Sequence, residues 1–282
     1  MRETVADRPK SLISKISKAI THPAVAYDFV RGRLANKSTQ TAEPTFVGAP
    51  GNRSESDNGD YVAFVETATR DFRVFSRFKT HPIYQSILEH VTKSAGEKFM
   101  AVIQRDSPDF IEQIEKFKIN DLVGSPIMHS YPAVGLISPT TLRYVKVASD
   151  LRKYFGSGIG NKLVEIGVGY GGQLLVLDQV FRGIEYHLYD LPPVLELASK
   201  YLEAHILNCS YRKCTLNQNS GNERYDLGIS NYAFSELPSR LQRKYIEKIL
   251  SRASRGYLTM NSGLPDCTFS RDKLLLNELR EL

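Results

Sequence analysis

Past Lys162 the chain alternates between two hydrophobic rhythms. Short apolar runs of strand length fall near 162–166, 186–190, 210–214, 226–230 and 256–261. Between them, the stretches near 172–181, 193–205 and 239–253 carry apolar residues at helical spacing. Strands alternating with helices over short connections predict a parallel sheet covered on both faces. The expected fold is α/β, a doubly wound Rossmann-like sheet. In such sheets ligands lie beyond the carboxyl ends of the strands. Glu165, Asp190 and Asn231 fall at those ends.

Upstream the rhythm is helical. Phe64, Val65, Ala68, Phe72, Phe75 and Phe78 predict one face of a helix, and Ile83, Ile87, Leu88 and Val91 a second one after Pro82. Further helical pieces are expected at 97–104 and 108–117. Ser138 followed by Pro139 is a good helix start, and the stripe Leu142, Val145, Ala148 and Leu151 should pack on the sheet. Residues 36–60, rich in Asn, Ser, Thr, Gly and Pro, read as a flexible linker. Residues 9–20 form a short basic amphipathic pattern with Leu12, Ile13, Ile16 and Ile20 on one side. Such a segment lies on an anionic membrane surface, docks on a partner or packs on its own domain. The chain thus divides into an N-terminal segment (1–35), a linker (36–60), a helical cap (61–137) and an α/β core (138–282). The run Arg271–Leu282 reads as a helix, so only five strands are expected.

The chemistry concentrates between the first strand and its helix. Glu165-Ile166-Gly167-Val168-Gly169-Tyr170-Gly171-Gly172-Gln173 places an acidic residue at a strand end and then four glycines. Gly167, Gly169 and Gly172 satisfy the dinucleotide fingerprint G-x-G-x-x-G. A carboxylate beside that loop would repel a pyrophosphate but suits a sulfonium and an α-ammonium. The pattern Glu165-x-Gly167-x-Gly169-x-Gly171 resembles motif I of the class I S-adenosylmethionine-dependent methyltransferases. Asp190, 25 residues after Glu165, ends the second strand, where a carboxylate accepts hydrogen bonds from a ribose diol in either cofactor class.

Further blocks resemble the sugar O-methyltransferases found with bacterial surface-polysaccharide genes. They are Asp121–Pro126, Ile137-Ser138-Pro139-Thr140-Thr141-Leu142-Arg143-Tyr144, Tyr189-Asp190-Leu191-Pro192 and Ser230-Asn231-Tyr232-Ala233-Phe234-Ser235-Glu236-Leu237. With the glycine block the resemblance covers roughly 60–262. It implies S-adenosyl-L-methionine as cofactor, a sugar or glycan as acceptor, and a methyltransferase core that usually closes with two more strands than are legible here. It implies that Gly167, Gly169 and Gly171 back the methionine and ribose portions. Glu165 would act on the ammonium directly or by ordering the loop, with Asn231 near the methionine end. Tyr170 and Gln173 would add contacts from the loop. A sugar hydroxyl has a high pKa, so a base should assist its attack. Glu236, Tyr232 and His129 are the candidates, Glu236 serving alternatively as a helix N-terminal acid and Tyr232 as a core cap. Arg143 and Tyr144 would reach the cofactor or an acidic sugar, or Arg143 would form a structural salt bridge. His205 is expected to end a helix and gain from its dipole.

Charge and cysteines add little. The first 37 residues hold eight basic and three acidic side chains, so they carry +5 of the net +6. The rest is nearly neutral, so the basic balance says little about nucleic-acid binding by the folded part, and no nucleic-acid partner is expected. Cys209, Cys214 and Cys267 form no metal-ligand pattern, and free thiols are expected. No signal peptide or membrane-spanning run is legible, so a cytoplasmic site of action, with peripheral membrane contact through residues 9–20, is the expectation. The sequence is silent on oligomeric state. Two other readings stay open: a nicotinamide-dependent oxidoreductase, and a methyltransferase fold serving as a scaffold without catalysis.

Overall fold

The computed structural model describes residues 59–219 and 221–260. The basic segment at 9–20, most of the linker, Cys267 and the expected helix at 271–282 lie outside the described residues.

Helix α1 (Gly59–Arg70) ends where the Asp71 side chain accepts from Arg73 N (2.7 Å) and caps the single turn α2 (Phe72–Phe75). The continuous helix expected through Phe78 is therefore broken, and Phe72 points outward at 74% exposure. Phe78 lies in a 3-10 turn before α3 (Pro82–Ile87). Next come α4 (Lys93–Asp106), capped by Thr92, and α5 (Pro108–Glu112). Strands β1 (His129–Tyr131) and β2 (Gly135–Ile137) form an antiparallel hairpin where only a loop was expected.

Helix α6 (Pro139–Phe155) starts as predicted, with Ser138 Oγ accepting from Thr141 N at 3.1 Å. Its stripe of Leu142, Val145, Ala148 and Leu151 is fully buried. The core then runs β3 (Lys162–Ile166), α7 (Gly172–Asp178), β4 (Glu185–Tyr189), α8 (Pro192–Leu202) and β5 (Ser210–Cys214). It continues through β6 (Leu227–Asn231), the short α9 (Ala233–Glu236), α10 (Ser239–Lys248) and β7 (Gly256–Thr259). Strand boundaries fall within two residues of the expected ones. The helices end earlier, α10 giving way to a 3-10 turn at Leu250–Arg252.

These five strands form one parallel sheet in the order β5-β4-β3-β6-β7. The chain winds one way from β3 through β5 and the other way from β6 to β7. The reversal lies between β3 and β6, which is where this topology opens a crevice. Successive side chains on a strand face opposite ways. Leu163 joins the larger apolar cluster, while Val164 and Ile166 join the smaller one beneath α10. The larger cluster is continuous from Tyr61 and Phe64 to Leu227 and Ile229, so the helical cap and one face of the sheet share a core. Burial of apolar surface on this scale, at roughly 25 cal/mol per Å², is the main term holding cap and sheet together. Among the described residues no helix is long and apolar enough to cross a membrane.

Candidate functional site

A cavity of about 650 Å³ opens at the carboxyl ends of β3, β4 and β6. Ile166, Gly167, Asp190, Asn231 and Tyr232 line it from the sheet. The segment from Ile87 to Ala95 together with Phe99 covers it, and Leu241, Lys244 and Tyr245 of α10 close one side. The covering wall is mainly apolar.

The glycine loop is held from within. Gly167 N donates to Tyr189 O (2.8 Å) and Gly171 N to Val168 O (2.9 Å). Asp190 Oδ2 accepts from Val168 N (2.8 Å) and Gly169 N (3.3 Å), and its Oδ1 accepts from Leu191 N (2.8 Å). Asp190, expected only as a ribose acceptor, is thus also the latch of the loop. Gly167 has φ +78°, and a Cβ there would stand 2.0 Å from Ala233 Cβ. The side of this glycine that a Cβ would take is filled by Ala233, while the residue itself lines the cavity. Ala233 is brought there by β6, where Ser230 Oγ donates to Ile166 O (2.7 Å) and accepts from Phe234 N (3.1 Å).

Glu165 does not line the cavity. By alternation it shares the inward face of Leu163, and it is 2% exposed. Tyr186 Oη donates to one of its oxygens (3.0 Å) and Asn231 Nδ2 to the other (3.4 Å). Burial pushes its pKa up to about 8, against the lowering effect of those two bonds, with Asp190 adding a smaller raise. A carboxyl raised in the folded state binds more protons there than in the unfolded chain. Its stabilising contribution is therefore whole below the ordinary value of 4.5 and is lost as the pH rises through about 8. Melting temperatures of the native protein should fall between about pH 5 and pH 9. Those of Glu165→Gln should fall less, and parallel curves would mean that Glu165 holds no such proton.

Asn231 is oriented by what lies behind it. Its Nδ2 faces Glu165 and Gln173 Oε1 (3.2 Å), while Gln173 Nε2 donates to Tyr144 O (3.3 Å). Asn231 Oδ1 is buried without a partner, and the residue lines the cavity. Tyr232, next along, holds φ +72°, a conformation that bulky residues rarely adopt. It also lines the cavity, as does Glu236.

Arg143 reaches the cavity from α6. It is 8% exposed, its Nη2 makes one long bond to Leu88 O (3.4 Å), and its Nε has no partner. Its guanidinium lies 5.3 Å from the Tyr144 ring centroid and 5.9 Å from that of Tyr232. Burial opposes its charge, but Tyr144, Tyr232 and Glu89 more than restore it.

Several expected site residues stand elsewhere. Tyr170 is fully buried in an aromatic cluster, 4.8 Å from Tyr201 and 5.7 Å from Phe78 between ring centroids, with Lys79 Nζ 4.2 Å from its own. Tyr144 packs against it at 6.0 Å and is 4% exposed. Neither lines the cavity, because aromatic side chains facing the shared core gain more from burial than from the site. Gln173 and Gly171 act from behind; a Cβ on Gly171 would meet Leu202 at 3.1 Å. His129 sits on the β1–β2 hairpin and is not among the lining residues. His205 lies beyond the end of α8 against Tyr201, and burial lowers its pKa to about 4, with Lys79 adding to the effect. It is therefore neutral, not a dipole-stabilised cation.

His90 was not singled out by any motif. It lies in the turn between α3 and α4, lines the cavity, and has a buried Nδ1 with no partner. Burial lowers its pKa to about 4, and Arg143 lowers it further, against a backbone hydrogen bond at Ile87. Only its lone position two residues before Thr92, the cap of α4, could have drawn attention to it in the sequence.

No family model matches the chain, and no curated protein matches it. Among solved structures it is similar to a coclaurine N-methyltransferase bound to N-methylheliamine and S-adenosylhomocysteine (15% identity, 71% of this chain and 57% of the other, TM-score 0.35). It is also similar to a mitomycin 7-O-methyltransferase (17%, 69% and 57%, TM-score 0.34). A third is the magnesium protoporphyrin IX methyltransferase from Synechocystis PCC 6803 with bound S-adenosylhomocysteine (17%, 57% and 70%, TM-score 0.33). The chain spans about half the length of several solved structures it matches. Likenesses this distant speak to neither activity nor substrate.

Proposed function

We propose that the protein is an S-adenosylmethionine-dependent O-methyltransferase acting on a hydroxyl of a sugar or glycan. One observation carries the cofactor reading. The amides of Gly167, Val168, Gly169 and Gly171 are all engaged within the protein. A dinucleotide site needs loop amides for its pyrophosphate, so the loop favours a nucleoside ligand without phosphate. Glu165 stands behind the cavity wall and takes no part in that preference. The sugar acceptor rests on the resemblance of the Ser-Pro-Thr-Thr-Leu-Arg-Tyr and Ser-Asn-Tyr-Ala-Phe-Ser-Glu-Leu blocks.

The residues fit such a cofactor. Asp190 at the end of β4 stands where ribose hydroxyls are held, and Asn231 Oδ1 offers an acceptor without a donor. When bound, S-adenosylmethionine supplies a methyl group on a sulfonium leaving group. The chain has to align the acceptor oxygen in line with that methyl and exclude water. The lining side chains of Ile87, Leu88, Val91 and Phe99 serve the second. The hydroxyl proton goes to His90 or to Glu236, two of the titratable groups that line the cavity beside Tyr232.

Calorimetry with S-adenosylmethionine, S-adenosylhomocysteine and NADH tests the cofactor. Binding of the first two and not the third is expected, and the reverse overturns the reading. Methyl transfer to free hexoses and nucleotide sugars then tests the acceptor. His90→Gln and Glu236→Gln separate the two bases. Loss of the base should lower kcat by about 10²–10⁴, with S-adenosylhomocysteine affinity kept; the other change should cost less than about tenfold.

A further inference from the structure

Among the described residues, four ionic side chains line the cavity: Arg143 and Lys244 against Asp190 and Glu236. His90, which also lines it, is pushed down to about 4 by burial, with Arg143 adding to the effect, and is uncharged at neutral pH. The Glu165 carboxyl behind the wall is pushed up to about 8, chiefly by burial, and keeps its proton there. The two cations therefore offset the two carboxylates. S-adenosylmethionine has a sulfonium, an ammonium and a single carboxylate, so it brings a net positive charge. With it bound, the cavity holds a positive charge that its lining does not offset. A charge left uncompensated beside apolar walls is costly, and a counter-charge from the second ligand relieves it.

Lys244 is placed to hold that counter-charge. Leu241, Lys244 and Tyr245 follow the spacing of a single helix face, and all three line the cavity from α10. Lys248, one turn further on, is spent elsewhere: its Nζ donates to Leu216 O (3.4 Å) and Asn219 O (3.0 Å). Lys244 is half-buried, and among the described residues neither an ion pair nor a hydrogen bond holds its ammonium. Leu216 and Leu237 line the cavity too, and apolar walls strengthen the attraction between a lysine and an anion. Arg143, buried with Nε unbonded, adds a second positive centre from α6.

We infer that the acceptor sugar bears an acidic group, a carboxylate or a phosphate, and that Lys244 is the residue that selects it. This deepens the acceptor reading above and rests on it. The charge balance holds wherever the carboxylate of the cofactor binds, since that group is already counted in the net charge. A neutral sugar would leave the surplus charge uncompensated. The acidic group itself does not react. Once the methyl has moved, the cavity has lost the sulfonium charge that attracted the acidic group, and the product is held less tightly.

The test is calorimetric and needs no turnover. The full chain is loaded with sinefungin, which has an ammonium where the cofactor has its sulfonium, or with S-adenosylhomocysteine, which is uncharged there. Each complex is titrated at low ionic strength with D-glucuronate, D-glucose 6-phosphate and D-glucose. At least one acidic sugar should bind the sinefungin complex about tenfold or more tighter than glucose, and the S-adenosylhomocysteine complex less tightly. Which acid binds separates carboxylate from phosphate. Lys244→Gln should bring the acidic sugar to within about threefold of glucose, and Lys244→Arg should keep most of the preference. Both variants should bind S-adenosylhomocysteine like the native protein. Equal affinity for acidic and neutral sugars overturns the proposal, and so does a preference that survives Lys244→Gln. Loss of S-adenosylhomocysteine binding in Lys244→Gln moves the residue to the cofactor and overturns it as well. A native chain that binds S-adenosylhomocysteine and none of the three sugars overturns the acidic acceptor but keeps the cofactor reading. Binding of neither cofactor analogue overturns both.

Discussion

Asp190→Ala should abolish measurable S-adenosylhomocysteine binding, a loss of at least about 100-fold, and lower the melting temperature by about 6–12 °C. The carboxylate accepts from the backbone of Val168, Gly169 and Leu191 at 2.8, 3.3 and 2.8 Å. Hydrogen bonds to a charged acceptor contribute about 1.5–3 kcal/mol each, and unpaired buried donors cost about as much. Val168 and Gly169 are buried, so water does not readily replace the lost oxygen. A net loss of about 3 kcal/mol is expected, because the loop relaxes in part. The same loop is the floor of the cavity, so stability and binding should fail together. Asp190→Asn keeps one acceptor oxygen and should lie between. Thermal melting and titration check this; an alanine variant that melts and binds like the native protein would remove Asp190 from both roles.

Gly167→Ala should destabilise the protein by about 3–5 kcal/mol and deform the site. Two separate costs combine. A φ of +78° is strained for any residue with a Cβ, by about 1–2 kcal/mol. The new Cβ would also stand 2.0 Å from Ala233 Cβ. Neither atom can rotate away, since both are fixed to backbone. The junction between β6 and α9 must therefore shift, carrying Asn231, Tyr232 and Glu236 with it. The two costs can be told apart. Adding Ala233→Gly removes the collision but not the strain, and should recover all but about 2 kcal/mol, less the small penalty of a glycine in a short helix. Denaturant unfolding of the two singles and the double checks it. Simple additivity of the singles would mean that the collision does not exist.

Both predictions concern residues that the glycine motif marked, yet their roles differ from those the motif suggests. The motif speaks of ligand contact. In the structure Asp190 is also a latch, and Gly167 is required by the close approach of Ala233 at the start of α9. A linear pattern records which residue types a loop tolerates. It does not record whether the empty space beside a glycine is filled by ligand or by protein.

Other features were legible because they are local. The alternation of strands and helices, the start of α6 at Ser138 and the buried stripe of that helix follow from hydrophobic period and capping chemistry, which act within a few residues. The placement of Glu165 was legible in principle: it lies two positions from Leu163 and so shares its inward face. The break at Asp71 was legible too, as a good cap inside a helical pattern.

The tertiary structure decided the rest. His90 gains its meaning from a turn folded over strand ends that lie more than 70 positions away in the chain. Tyr144 and Tyr170 are drawn into the shared core, while Arg143, beside Tyr144 on the same helix, is left at the cavity. Arg143 and Asn231, 88 positions apart, line one cavity at the crevice where the sheet reverses its winding between β3 and β6. The sequence by itself determined the elements of the α/β core, its sheet and the place of the glycine loop, since those depend on near neighbours. Which side chains meet in the cavity depends on long-range packing, where burial of large apolar groups outweighs any single polar contact and leaves the polar groups to face what remains.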